Sequence, residues 1–278
     1  MKHEYYFMAG LPRSGVTLLK TLLDQNPKIH SGPISPVVEL LHYSNQYFLD
    51  SESYNAYPKP KAAHRIVSSI IDNYYYDIEK PIIIDHNRAW PGNIERIKTY
   101  ITPSPKIICT VRDILDILTS FITLVHKNND QVSYLDEFLI EKGYPCTDEL
   151  RCQHLMSMEG IVGQSLYVLY KSLFICHDDS HLLLVEYEDI VNNPDVTMKR
   201  IYDFLELDYY QHNYTYIDNK HPENDKEWNL KDMHKVRKEL KKISKDPKDI
   251  LNEAVLYNFS DFEFWKNNNH KYIFQEIA

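Results

Sequence analysis

A chain of 278 residues that is 43% hydrophobic and 26% charged can bury a sizeable core and reads as a single α/β domain, residues 1–278, with a regular core over 5–207 and a less regular part over 208–278. Its net charge of −9 excludes a general nucleic-acid binder, so an anionic ligand has to be held by a local cluster of cations and N–H groups. Cys109, Cys146, Cys152 and Cys176 show no CxxC spacing and no paired histidines, which points to free thiols; with no signal peptide and no run near the ~20 apolar residues of a membrane span, a soluble cytoplasmic protein without a membrane partner is expected.

The first predicted element is a strand, Tyr5-Tyr6-Phe7-Met8-Ala9, running into the turn Gly10-Leu11-Pro12-Arg13-Ser14-Gly15. A helix follows, with Val16, Leu19 and Leu23 on one face and Asn26-Pro27 as its stop. A strand, a glycine-bearing turn and a helix N-terminus make an anion site, because free N–H groups and the helix dipole both favour negative charge. Gly10, Gly15 and Thr17 fit the phosphate-loop frame G-x-x-x-x-G-x-[ST]. Val16 stands where that motif has its lysine, and Arg13 is the one cation of the loop. A nucleotide triphosphatase uses that lysine on the β- and γ-phosphates, so the loop implies phosphate binding and argues against the ordinary nucleotide. Ser14 and Gly15 are the expected backbone N–H donors.

Further along, residues 28–30 read as a short strand, Pro36 opens a helix through Tyr47, and 50–61 is a proline-bearing loop. A helix over 62–76 is expected to bury Ile66, Ser69, Ile70 and Asn73. Pro81-Ile82-Ile83-Ile84-Asp85, Lys106-Ile107-Ile108-Cys109-Thr110-Val111 and Leu182-Leu183-Leu184-Val185-Glu186-Tyr187 are short β-branched or apolar runs typical of buried parallel strands. Helices are predicted between them over 92–101, 114–125, 134–141 and 149–177, and after them at Asp189 and at Asn193-Pro194. A basic helix is expected near 233–243. Strands alternating with helices predict a three-layer α/β fold with a central parallel sheet.

Arg112 closes one of these strands, and ligands of open α/β sheets bind at the carboxyl ends of strands. Ser120 lies eight positions on, in the first turns of the next helix. An arginine fork with a hydroxyl suits a phosphate.

The loop Pro12-Arg13-Ser14-Gly15-Val16-Thr17 and the element Val111-Arg112-Asp113…Ser120 together resemble the sulfotransferase family, in particular its bacterial and tyrosylprotein branches. Val185-Glu186-Tyr187-Glu188-Asp189-Ile190 with Asn193-Pro194 matches a further family segment, of mainly structural role, and Asp85-His86-Asn87-Arg88-Ala89-Trp90 and Met233-His234-Lys235-Val236-Arg237 look like pieces of the bacterial branch. The likeness spans about 5–240. It implies a P-loop-like nucleotide-kinase fold and transfer of a sulfonyl group from 3′-phosphoadenosine-5′-phosphosulfate (PAPS) to a hydroxyl or amine on a small-molecule, glycan or peptide acceptor, with no metal expected. Pro12, Arg13, Ser14, Gly15, Val16, Thr17 and Leu18 would hold the 5′-phosphosulfate. Arg112 and Ser120 would hold the 3′-phosphate, Lys235 and Arg237 would close over it, and Tyr167 or Tyr170 would meet the adenine. Arg13 beside the bridging oxygen would stabilise the departing phosphate.

The acceptor must lose a proton as it attacks sulfur. His86 is the first candidate for the base, Asp85 the second and Glu39 the third. The tyrosylprotein branch places a glutamate after its second short strand; the corresponding Gly32-Pro33-Ile34-Ser35-Pro36 has no carboxylate. Two other readings stay open. One is a small-molecule kinase with a degenerate phosphate loop, in which residues 82–85 mimic a Mg²⁺-binding strand. The other is a catalytically inactive phosphoadenosine-binding protein.

Overall fold

The computed structural model describes residues 2–175, 179–241 and 245–266. Five strands form one parallel sheet: β1 (Glu4–Gly10), β2 (Ile29–His30), β3 (Ile82–His86), β4 (Ile107–Val111) and β5 (Leu182–Glu186), in the order β2-β3-β1-β4-β5. β1 is central, with Met8 opposite His86 of β3 and Gly10 opposite Thr110 of β4. Both faces of the sheet are covered, which is why its strands read as nearly continuous apolar runs.

The two faces build two cores. Tyr5, Phe7, Ile83, Ile107 and Trp90 belong to one. Tyr6, Met8, Ile84 and Ile108 belong to the other, with Leu19, Leu22 and Leu23 of α1 (Val16–Leu23) and Met198, Ile201 and Leu205 of α11 (Pro194–Leu205). On the first face lie α2 (Val37–Asp50), α4 (Pro60–Tyr74), α5 (Ile94–Tyr100), α6 (Ile114–Lys127), α7 (Tyr134–Glu141), α8 (Asp148–Met156), α9 (Ile161–Tyr170) and α12 (Glu253–Phe259). α10 (Tyr187–Asn192) follows β5 directly and leads into α11, whose first residue is Pro194. The expected three-layer α/β architecture is the observed one.

Four local expectations fail, each for a physical reason. The stretch 50–61 is not all loop: Ser51 accepts from the Tyr54 amide and caps the short helix α3 (Glu52–Ala56), and α4 already starts at Pro60. α4 turns Val67 and Ile71 inward and leaves Ile66 51% exposed, so its buried stripe is offset by one residue. The predicted helix over 149–177 breaks between α8 and α9. A Cβ on Gly160 would lie 1.9 Å from the His154 carbonyl oxygen and one on Gly163 2.2 Å from that of Ser157, so the corner needs two bare backbones. Beyond α9 a π-helical turn covers Lys171–Ile175, and Cys176 and His177 lie outside the described residues. Finally, no helix forms over 233–241, and Lys242 and Ile243 lie outside the described residues. The segment instead pairs with residues 214–217: the Ile217 amide donates to the Lys238 carbonyl at 2.7 Å and the Leu240 amide to the Tyr214 carbonyl at 2.9 Å.

Candidate active site

The site begins where β1 runs out. The Leu11 amide donates to the Thr110 carbonyl at 2.9 Å, which holds the loop against β4. A Cβ on Gly10 would lie 2.1 Å from Thr110 Oγ1, so only glycine fits there. Arg13 (φ 62°) and Gly15 (φ 89°) both adopt left-handed backbone, and the second of these delivers the chain into α1. Ser14 turns away from solvent. Its hydroxyl donates to the Leu11 carbonyl at 2.6 Å and lies 2.5 Å from Thr110 Oγ1, and its amide donates to Leu11 at 3.2 Å. The Ser14 amide is therefore spent on the loop itself, and of the two expected N–H donors only Gly15 lines the cavity.

Arg112 follows β4 and is buried. Its Nη1 donates to the Arg13 carbonyl at 3.1 Å, Asp116 Oδ2 lies 3.6 Å from Nη2, and the guanidinium carbon stands 4.3 Å from the centre of the Tyr187 ring. Its Nε is buried without a hydrogen-bond partner. Tyr187 also covers Gly15, where a Cβ would meet its ring at 2.8 Å. One aromatic side chain thus fixes both the loop and the arginine. Arg13 Nε donates to Ser120 Oγ of α6 at 3.0 Å and its Nη1 to the Met233 carbonyl. Burial, and then the nearness of Arg112, lower the Arg13 pKa from its ordinary value.

These groups surround a cavity of about 470 Å³, within the range of small-molecule and cofactor sites. Pro12, Arg13, Gly15, Val16, Thr17, Leu18, His86, Arg112, Ser120, Lys235 and Arg237 all line it. Among the described residues, eight arginines and lysines line it against three carboxylates, Asp116, Glu223 and Glu239. An acidic chain has gathered its cations locally, as an anionic ligand requires.

Ser14, Asp85 and Tyr167 do not line the cavity. Asp85 and His86 are consecutive in β3 and so point to opposite faces. Asp85, opposite Phe7, accepts from Ser35 Oγ at 2.6 Å, Tyr75 OH at 2.7 Å and Trp90 Nε1 at 2.7 Å. Burial raises its pKa although those bonds oppose the shift. It is an anchor of the core, with both carboxylate oxygens engaged. His86, opposite Met8, opens to the cavity with Nδ1 buried and unpartnered. Burial, and then the Lys20 charge, push its pKa down to about 3, while Glu223 acts the other way. Glu39 is held by Asn87 Nδ2 at 3.0 Å. Tyr167 is 38% exposed on α9; the aromatic rings at the cavity are those of Tyr187 and Trp228, the latter edge-on to Tyr134 at 5.5 Å.

Sequence reasoning missed the network behind His86. Lys20 of α1 is 1% exposed, and its Nζ lies 2.5 Å from Glu223 Oε1. Glu223 Oε2 lies 3.3 Å from His234 Nε2, whose Nδ1 lies 2.7 Å from Asp225. Burial pushes the Glu223 carboxyl up, but Lys20 and His234 outweigh it and the net shift is down. The readable signal was Lys20 itself: four positions after Val16, it sits on the stripe assigned to the core. Arg88, which also lines the cavity, lies in the family-like segment 85–90, where it carried no assigned role.

The model of the sulfotransferase family (Sulfotransfer_3) matches residues 6–211. The chain belongs to the sulfotransferase family. It is 20% identical over 217 residues to protein-tyrosine sulfotransferase A of Caenorhabditis elegans, covering 73% of this chain and 50% of that protein, so it spans about half the length of this curated relative. Among solved structures, the sulfotransferase domain from the curacin biosynthetic pathway is 14% identical with a TM-score of 0.49, covering 95% of this chain and 92% of that one. A mouse sulfotransferase complexed with PAP is 17% identical with a TM-score of 0.44, covering 75% of this chain and 61% of the other. The matched family region ends at residue 211, yet Glu223, Trp228, His234, Lys235 and Arg237 complete the cavity wall of this sulfotransferase-family chain from beyond it. Among the described residues no helix is long and apolar enough to cross a membrane.

Proposed function

We propose that the chain transfers a sulfonyl group from PAPS to a hydroxyl or amine acceptor. The observation that carries this reading is that Arg13 links two anion-binding points, the glycine loop with Thr17 and the Arg112–Ser120 wall, in one cavity. A donor with phosphates at both ends of a nucleoside needs two such points. With Val16 in the lysine position, a triphosphate would lack its usual cation. The PAP named with the mouse neighbour is the product such a donor leaves.

In this reaction the acceptor oxygen or nitrogen forms a bond to sulfur as the bond from sulfur to the 5′-phosphate oxygen breaks. The electron pair stays on that phosphate, and the acceptor proton goes to His86. Arg13 stands where the negative charge grows, and a charge stabilised more in the transition state than in the ground state speeds the step. Two of its nitrogens already serve Ser120 and the Met233 carbonyl, so the donor meets the remaining N–H groups or displaces one contact. Burial and the Lys20 charge hold His86 neutral and weaken it as a base, so its uptake of the acceptor proton leans on Glu223, which favours the imidazolium that results. Asp85 is withdrawn as a base by its three hydrogen bonds. The acceptor class includes peptide tyrosine, the substrate named for the nematode relative, although no carboxylate follows Gly32.

The test compares melting temperatures with 3′-phosphoadenosine-5′-phosphate and with ATP and Mg²⁺, because a ligand of the native state raises Tm. A rise with the phosphoadenosine nucleotide, together with PAP release from PAPS over an acceptor panel, is expected. A rise with ATP alone would return the kinase reading, and binding without any transfer would return the inactive binding protein.

A further inference from the structure

Outside the cavity, three side chains from distant parts of the chain converge: Asp24 at the end of α1, His30 at the end of β2 and His221 on the segment that leads to Glu223. We propose that Asp24, His30 and His221 bind one divalent transition-metal ion of the zinc type, which staples this segment to the first helix and the edge strand. One ligand atom from each lies within 4.8 Å of the others. Asp24 Oδ2 and His221 Nε2 are 3.7 Å apart, and the two imidazole centroids are 5.1 Å apart. A tetrahedral ion with bonds of about 2.1 Å holds its ligands about 3.4 Å from one another. One pair is therefore almost at ligating separation, and small rotations of the rings bring in the third.

The surroundings suit this role. The other carboxylate oxygen, Asp24 Oδ1, is held by Lys80 Nζ at 2.8 Å and the Ser31 amide at 3.3 Å, which aims Oδ2 at the imidazoles as outer-shell partners do for metal-bound carboxylates. Lys80 is itself tied to the Ile29 carbonyl at 2.7 Å; its charge lowers the affinity for a dication but occupies the oxygen that the ion does not need. A Cβ on Gly32 would lie 2.9 Å from His30 Nε2, so the glycine leaves that nitrogen uncovered. Two imidazoles and one carboxylate with an open fourth position select zinc, cobalt or nickel over magnesium or calcium. His221 is two residues from Glu223, so a bound ion would fix the stretch that pairs with Lys20. This proposal does not rest on the donor or the acceptor of the reaction.

The full-length protein, stripped with a chelator, is titrated with Zn²⁺ in a calorimeter and with Co²⁺ by visible absorption, and Tm is followed in parallel. One equivalent bound, the absorption of four-coordinate cobalt and a Tm raised by a few degrees are expected, with no response to Mg²⁺. His221 is half-exposed, so His221→Gln leaves the core intact; it is expected to keep the metal-free Tm of the wild type and to lose the zinc response. Gly32→Ala, which crowds the His30 ring, is expected to weaken zinc binding at least tenfold. No stoichiometric binding by the wild type, an equal response to Mg²⁺, or unchanged zinc binding in His221→Gln would overturn the proposal.

Discussion

The Arg13 side chain donates two hydrogen bonds, to Ser120 and to the Met233 carbonyl, and neither supports the sheet. Arg13→Ala is therefore expected to lower the rate of PAP release at least ~100-fold, the scale of losing one preorganised transition-state partner, while circular dichroism stays that of the wild type. Retained turnover would remove its assigned role. His86 makes a prediction with a definite sign. Its folded pKa of about 3 lies below the ordinary ~6.5 of an unfolded histidine, so below pH 6.5 the unfolded chain takes up a proton that the folded one refuses. Stability should thus be whole above about pH 6.5 and fall by up to ~1.4 kcal/mol per pH unit as pH drops toward 3. Denaturant titrations of the wild type and of His86→Gln should diverge in slope over that window; parallel curves would show that His86 is not held neutral. At this scale the sequence was read unevenly. Arg112 and Ser120 were found because a strand end and a helical spacing place them. His86 ranked above Asp85 from its place at a strand end, and the register opposite Met8 and Phe7 adds the physical reason, since the two side chains take opposite faces of the sheet. Glu223 was invisible because its partner Lys20 is 203 positions away.

At the scale of elements, the glycine loop depends on a φ of 89° at Gly15 and on the Tyr187 ring resting against it. Gly15→Ala should cost roughly 1–3 kcal/mol from backbone strain and weaken PAP binding tenfold or more, whereas Ser14→Ala, which removes only inward bonds, should lower Tm with a smaller effect on affinity. Calorimetry of both variants against PAP separates the two roles; equal losses would contradict the geometry. The strands were legible because burial on both faces writes a continuous apolar run, and Pro36 and Pro194 marked their helix starts. Legibility failed where tertiary contact overrides local pattern. The periodicity over 149–177 continues through a corner that Gly160 and Gly163 make possible. The basic run after Met233 has helical composition, yet its amides and carbonyls are taken by residues 214–217.

On the scale of the whole molecule, a chain of net charge −9 holds a cavity rich in cations. The KM for the proposed donor, which is anionic at both ends, should rise with ionic strength far more than the KM for a neutral acceptor; equal slopes would mean that the cations do not face the donor. The contacts that complete this cavity also have a temporal meaning. Arg13 bonds to a carbonyl 220 positions later, and Lys20 to a carboxylate 203 positions later. A ribosome making about 5–20 residues per second has finished all five strands roughly 2–9 seconds before these partners are made. During that interval Lys20 has no carboxylate to meet, and Arg13 lacks its carbonyl at Met233. The nascent chain can thus assemble its sheet while its anion site is still unfinished, and that site closes only once residues 223–233 have followed the last strand.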